Sequence, residues 1–432
     1  LLEGLGFHVP EFLTMDYLSA QRAHAAALQA LEAGQKLEQM SVNVREGFVA
    51  FNSAPVLFGW HFVANIPALL ITAAITYLVY IGIKETKNMN NILVVLKLAV
   101  IAIVVGVGAF YVQVENWTPF APNGISGVLK SVAAVCFAYI GFDSISTTAE
   151  ECKNPQRDIP KAMMWALIIC TVLYVMVTLV LTGIVPSGEL AGIEDPLAFM
   201  FMKVNLPGVA GVVAASAVIA LTSALLVYQM GQPRIWMTMS RDGLLPKAFS
   251  RIHPKYRTPS FSTIMTGFLV GIPALFANLE EVINLSSIGT LFAFVLVCGG
   301  VLILDLDPEN QKKSKFKIPY INAKYYVGLS LVIALYLSLP TLGAWQQWFE
   351  GIWSGAEKAD HVIMTCFFLI WVVMAFFSVT HNLSLIPVLG LLVNMYLMTQ
   401  MGAMNWERFL YWCLAGLLIY FGYSYRKSKL NV

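Results

Sequence analysis

Two features of the sequence combine residue types and spacing that can do chemistry in an apolar setting. The first is Val135-Cys-Phe-Ala-Tyr-Ile-Gly-Phe-Asp143, an apolar run that breaks at Gly141-Phe142-Asp143, restarts as a short polar segment and ends in the charged loop 154–160. Inside a bilayer every backbone N–H and C=O needs an internal partner, so spanning helices are normally unbroken. A break at that depth is tolerated where it is buried in protein or lines a water-filled cavity. There the opened N–H and C=O groups, with the dipoles of the two half-helices, can bind the charged ends of a zwitterion. The bland alternative is a glycine kink whose aromatic rings, Phe137, Tyr139 and Phe142, only pack against neighbours. Asp143 stands where a second half-helix would start. Its carboxylate is expected either to cap that half-helix, accepting an N–H two or three residues further on, or to act as a proton or cation site.

The second feature is Lys97, in the run Asn91-Ile-Leu-Val-Val-Leu-Lys-Leu-Ala-Val-Ile-Ala-Ile-Val-Val105, which has no acidic residue to pair with it. Six residues from Asn91 at ~1.5 Å each place it roughly 9 Å inside the end of the span. A snorkelling side chain just covers that depth. The other reading is an ammonium held away from water, which can release and regain a proton.

These groups need a membrane scaffold, and the composition supplies one. Of 432 residues, 58% are hydrophobic and 12% are charged, with a mean hydropathy of +0.70. A soluble chain of this length does not carry so much apolar residue. Eleven apolar spans are expected, at roughly 62–83, 91–112, 126–150 (interrupted), 161–185, 208–230, 258–277, 284–304, 325–344, 361–381, 385–400 and 407–424. Residues 1–61 do not span, and the Ala-, Leu- and Glu-rich stretch Met15–Met40 is expected to form a soluble helix. The segments 84–90, 152–161, 231–257, 305–324 and 425–432 hold 19 of the 27 Lys and Arg, against 5 in the alternate segments. By the positive-inside rule the basic set faces the cytoplasm, which leaves the N-terminal segment outside. Arg234, Arg241 and Asp242 in the basic loop are expected to serve topology and gate packing.

Other chemistries find no support. Cys136, Cys152, Cys170, Cys298, Cys366 and Cys413 lack metal-ligand spacing and serve as packing residues. The six histidines are scattered, and there is no His-Glu-x-x-His, no Gly-x-Ser-x-Gly elbow and no phosphate-binding Gly-x-x-x-x-Gly-Lys-Ser/Thr loop. The expectation is a protein that is not an enzyme and has no metal, cofactor or nucleic-acid partner. The net charge of +2 says nothing of nucleic acid.

Phe137-Ala-Tyr-Ile-Gly-Phe-Asp143, Thr147-Thr-Ala-Glu-Glu151 and Asn154-Pro-Gln-Arg-Asp-Ile-Pro160 resemble the sixth helix and following loop of the cationic amino acid transporter family, in the amino acid–polyamine–organocation superfamily. Glu115-Asn-Trp-Thr-Pro-Phe120, Ser240-Arg-Asp-Gly-Leu-Leu-Pro-Lys247 and Ile288-Gly-Thr-Leu-Phe-Ala-Phe294 match it too. The resemblance implies an all-α integral membrane fold of two inverted five-helix repeats, with these spans as helices four to fourteen of a fourteen-helix protein. On that reading the chain is N-terminally truncated, and Leu1-Leu-Glu-Gly-Leu-Gly6 resembles the loop after a third helix. Residues 1–61 would be an extracellular segment, 62–323 the transport core and 324–432 peripheral helices. It further implies a multi-pass protein of the plasma or bacterial inner membrane that carries amino acids by alternating access, as a proton-coupled symporter or an exchanger without sodium. Carbonyls of Phe137, Ala138 and Ile140 would accept from the substrate's ammonium, with Gly141 and Phe142 at the turn and the Phe137 or Tyr139 ring as a gate. Lys97 would stand where relatives place a sodium ion, facing Thr222 and Ser223, hydroxyls that membrane helices also often spend on their own backbone. The rivals are a polyamine or neutral amino acid carrier, and a membrane sensor or partner that keeps the fold without transporting.

Overall fold

The computed structural model describes residues 10–37, 40, 42–57, 59–82, 86–121, 124–190, 193, 195–306, 319–338 and 358–429. In chain order the main elements are α1 (Tyr17–Glu32), α2 (Val42–Ser53), the two-stranded hairpin β1 (Val56–Leu57) and β2 (Trp60–His61), α3 (Ile66–Ile81), α4 (Thr86–Gly108), α5 (Gly124–Tyr139), α6 (Pro155–Ile184), α7 (Pro196–Lys203), α8 (Pro207–Arg241), α9 (Ser260–Phe276), α10 (Leu279–Leu306), α11 (Ala323–Ser338), α12 (Lys358–His381), α13 (Leu385–Thr399) and α14 (Ala403–Ile419). The opening stretch Leu1–Gly6, most of the loop 305–324 and the end of the expected span 325–344 lie outside the described residues.

Asn91–Tyr111, Pro155–Ile184, Pro207–Arg241, Glu281–Leu306 and Ala359–His381 are each long and apolar enough to cross a membrane. A sixth span results if Leu385–Thr399 and Ala403–Lys427, bent by 114° at their break, count as one. Gly402, at a φ of +76°, makes that bend. Ile66–Ile81, Ser260–Phe276 and Ala323–Ile333 are shorter apolar helices. Only 11% to 22% of each long span's apolar window is buried within the protein, so the faces turned outward are themselves apolar. Leu221 and Ile303, both 71% exposed, belong to such faces. Surfaces of that kind need lipid tails, not water, around them. The protein is an all-α integral membrane protein that crosses the bilayer several times.

Two helices run further than hydropathy suggested. α6 starts at Pro155 and carries Pro160 inside it, whereas a start after Pro160 was expected. Pro155 fits the first turn, where a missing N–H costs nothing. α8 continues past residue 230, through Pro233, to Arg241. Its 35 residues span about 52 Å, more than the ~30 Å hydrocarbon slab, so its basic end projects past the apolar layer. The segment 1–61 also holds a second helix, α2, packed on α1.

The chain forms two compact units. One comprises residues up to Phe120, Ala166–Glu281 and the stretch from Ile419; the other comprises Ala121–Trp165 and Val282–Leu418. In the first unit α8 is the hub: α3, α4, α7 and α9 all pack on it. Val104, Val180, Ile184, Met200, Phe201 and Val213 form its main core. Glu115–Phe120 ties the end of α4 to the end of α6 there, since Asn116 Nδ2 and Gln113 N–H both donate to Gly183 O, at 2.8 and 2.9 Å. Trp117 Nε1 donates to Leu179 O at 3.3 Å, so these side chains satisfy carbonyls that the end of α6 leaves open. In the second unit Leu302, Val327, Phe367, Val388 and Leu392 form one core cluster, and Ile288, Leu291, Met398 and Phe409 another.

The contact of α3 with α9 uses small residues, as helix pairs in lipid do. Gly267 and Gly271 of α9 face Thr76 and Thr72 of α3, and a Cβ at Gly267 would lie 2.6 Å from Thr76 Cγ2. Gln229 of α8 is buried and donates from Nε2 to Thr76 Oγ1 at 2.9 Å, joining the third helix to the pair. Gly267→Val should therefore cost about 1–3 kcal/mol through overpacking, and Gln229→Leu only about 0.6 kcal/mol for one interhelical hydrogen bond. Thermal unfolding in detergent micelles checks the order. An unshifted Gly267→Val protein would contradict the packing.

Candidate functional site

The second unit holds the break. α5 ends at Tyr139, Ile140 and Gly141 form a turn, and a ten-residue 3-10 helix runs over Phe142–Glu151. Gly141 has a φ of +119°, outside the range L side chains adopt with ease. A 3-10 run of this length is uncommon and often marks a hinge or a strained sequence.

The residues after the glycine satisfy the polar groups that the turn opens. Gly141 N–H donates to Asp143 Oδ1 at 3.1 Å, and Gly141 O accepts from both Ser144 N–H and Ser144 Oγ. Ser146 Oγ donates to Asp143 O at 2.6 Å. Asp143 thus reaches back two residues to the turn. Short polar side chains such as Asp and Ser readily form such local bonds to nearby backbone. Ala138, Tyr139 and Ile140 each have an interaction partner as well. A ligand here would exchange its hydrogen bonds for local ones of about 1 kcal/mol each. The ring of Phe137 and the side chains of Thr147–Glu151 lie outside the described residues.

α10 supplies the wall opposite the break. Cys136 and Ile140 on one side, and Ser287, Thr290, Leu291 and Phe294 on the other, line a gap too narrow for a water molecule. The Phe142 and Phe294 rings close one side, with centroids 5.6 Å apart and planes tilted by 39°. Ser287 and Thr290 each donate one turn back along α10, to Ile283 O and Ser286 O at 2.8 and 2.9 Å. The gap is therefore lined by methyls, an aromatic ring and a thiol, with no ionised group. Two stretches singled out separately in the sequence, 137–143 and 288–294, meet here.

Lys97, Thr222 and Ser223 belong to the first unit. Lys97 is half-buried on α4, the helix that packs on α8. Thr222 Oγ1 donates to Val218 O at 2.8 Å, within its own helix. Ser223 is buried at 4% exposure. The described residues contain no cluster of His, Cys, Asp or Glu able to hold a metal. Gln229 and Ser287 went unremarked in the sequence. A lone amide in an apolar run was the one available signal for the former.

A family model described as amino acid permease matches residues 40–421. Over 384 residues the chain is 35% identical to a branched-chain amino acid permease of Bacillus subtilis (strain 168), covering 89% of this chain and 69% of that protein. It is 39% identical over 278 residues to a methylthioribose transporter of the same bacterium, covering 64% of this chain and 60% of the relative. It is 28% identical over 498 residues to the vacuolar cationic amino acid transporter 4 of Arabidopsis thaliana, covering 99% of this chain and 80% of the relative. These relatives are named as transporters, not enzymes, and the likeness to cationic amino acid transporters seen in separate motifs extends along the chain. With the family model matched over residues 40–421, a relative 35% identical over most of both chains, and apolar helices able to cross a membrane, the chain belongs to the amino acid permease family of membrane transporters.

Proposed function

We propose that the protein carries amino acids across the membrane by alternating access, with the substrate's charged ends held at Ala138–Phe142 and its side chain against the α10 wall. Residues 62–323 form the transport core in this reading, and 324–432 are peripheral. The observation that carries it is the break at Gly141: a local hydrogen-bond set keeps an interruption alive inside an apolar span, beside a second matched stretch. Inverted-repeat carriers bind substrate at such discontinuous helices. The uncharged wall favours a neutral, apolar side chain over a polyamine, because a buried cation without a counter-charge is costly. The 35% identity to a branched-chain amino acid permease points the same way. Coupling is to protons or to exchange, without sodium, and Lys97 is the group that takes up and releases the proton, with Thr222 and Ser223 on the helix packed beside it.

Uptake of radiolabelled amino acids into proteoliposomes tests this, using the protein with any coding sequence upstream of Leu1 included. Gly141→Ala forces a side chain into the φ of +119°, a strain of about 1–3 kcal/mol, and should lower uptake about tenfold or more. Asp143→Asn keeps an oxygen for Gly141 N–H and should retain most uptake, while Asp143→Ala should lose about tenfold. If Asn fails as fully as Ala, the carboxylate charge itself is used, and Asp143 is a proton or cation site. Uptake should rise as the outer solution is made acidic, and Lys97→Met should flatten that dependence. An unchanged pH profile in Lys97→Met would remove the lysine from the coupling step.

A further inference from the structure

The stretch Ser240-Arg-Asp-Gly-Leu-Leu-Pro-Lys247 at the end of α8 is held from two sides. From within, Leu244 N–H donates to Met239 O at 2.8 Å, Gly243 N–H to Ser240 O at 3.2 Å, and Ser240 Oγ to Pro246 O at 2.8 Å. From without comes the C-terminal segment, reached from α14 through the π turn Tyr420–Ser424. Ser424 is buried, and its Oγ donates to Leu244 O at 2.6 Å across 180 residues of chain. Lys429 N–H donates to Asp242 O at 3.0 Å. Lys427 O lies so near Gly243 that a Cβ there would be 2.2 Å from it, and Gly243 has a φ of +86°. Glycine is required at this position twice over, by its dihedral angle and by the approaching carbonyl.

α8 is the hub of its unit and carries Thr222, Ser223 and Gln229, so whatever fixes this end fixes the helix on which the others pack. The basic loops mark the same end as cytoplasmic. We propose that Ser424–Lys429 is a clasp that positions the cytoplasmic end of α8, with Gly243 and Ser424 as its positioning residues, and that it restrains the rate of the transport cycle. The consequence for transport rests on the function proposed above, whereas the clasp does not.

The test uses the full chain in proteoliposomes, with the loop opened to endoproteinase Asp-N, which cuts before Asp242 and finds no aspartate in the C-terminal segment. The cut at Arg241–Asp242 is timed by mass spectrometry in the wild type, Ser424→Ala, Ser424→Thr and a chain ended after Tyr423. Ser424→Ala removes one hydrogen bond and should speed the cut about fivefold. The shortened chain should be cut faster still, and Ser424→Thr, which keeps the hydroxyl, should match the wild type. Maximal uptake should rise about two- to threefold in Ser424→Ala and in the shortened chain, with KM held within about twofold, and stay at the wild-type rate in Ser424→Thr. An unchanged cutting rate in the shortened chain overturns the clasp. Faster cutting with an unmoved or lowered maximal rate overturns the restraint. If the wild type itself takes up no amino acid, the transport reading fails, and the cutting rates still decide the clasp.

Discussion

The architecture depends on one constraint: in hydrocarbon, a backbone polar group that leaves the helical ladder must be met by something else. At Gly141 the next five residues meet it. Asp143 takes the glycine's N–H, Ser144 covers its carbonyl twice, and Ser146 covers the carbonyl of Asp143. Three short polar side chains thus make an interruption affordable where an apolar sequence would have had to continue as a helix. Such local bonds are individually weak, and in the proposed function they are traded for bonds to a substrate.

The same constraint shapes the rest of the molecule. At the end of α6, Asn116 and Trp117 cover carbonyls of Leu179 and Gly183, so the matched stretch Glu115–Phe120 has a structural task. Ser287 and Thr290 spend their hydroxyls on α10 itself, which turns the wall beside the break into an uncharged surface although polar residue types line it. Where helices must come close, small residues set the distance. Gly267 against Thr76 brings α9 onto α3, and Gln229 adds the hydrogen bond that holds α8 to the pair. With little hydrophobic drive between helices in lipid, such fits decide which helices are neighbours.

What was legible in the sequence was whatever depends on residues near each other along the chain. The break at Gly141 showed itself because a glycine, a carboxylate and two serines interrupt an apolar run. The helix α8 runs eleven residues past the apolar span that ends at residue 230, because helical residues continue beyond the apolar ones. Apolarity marks the slab, not the helix. The wall on α10, the Gln229–Thr76 bond and the contact of Ser424 with Leu244 join residues more than a hundred positions apart, and no periodicity carries such information. Motif resemblance did find the break and the α10 stretch, yet only the fold shows that they face each other.

The central claim is that the turn at Gly141 exchanges its local hydrogen bonds for a substrate's. Hydrogen–deuterium exchange over the peptide Tyr139–Ser146, measured in the same proteoliposomes with and without a transported amino acid, addresses it most directly. A changed exchange rate confined to these amides, absent with an amino acid that is not carried, is the predicted result. Identical exchange in both conditions, in vesicles that are accumulating the amino acid, would show that the substrate is held elsewhere.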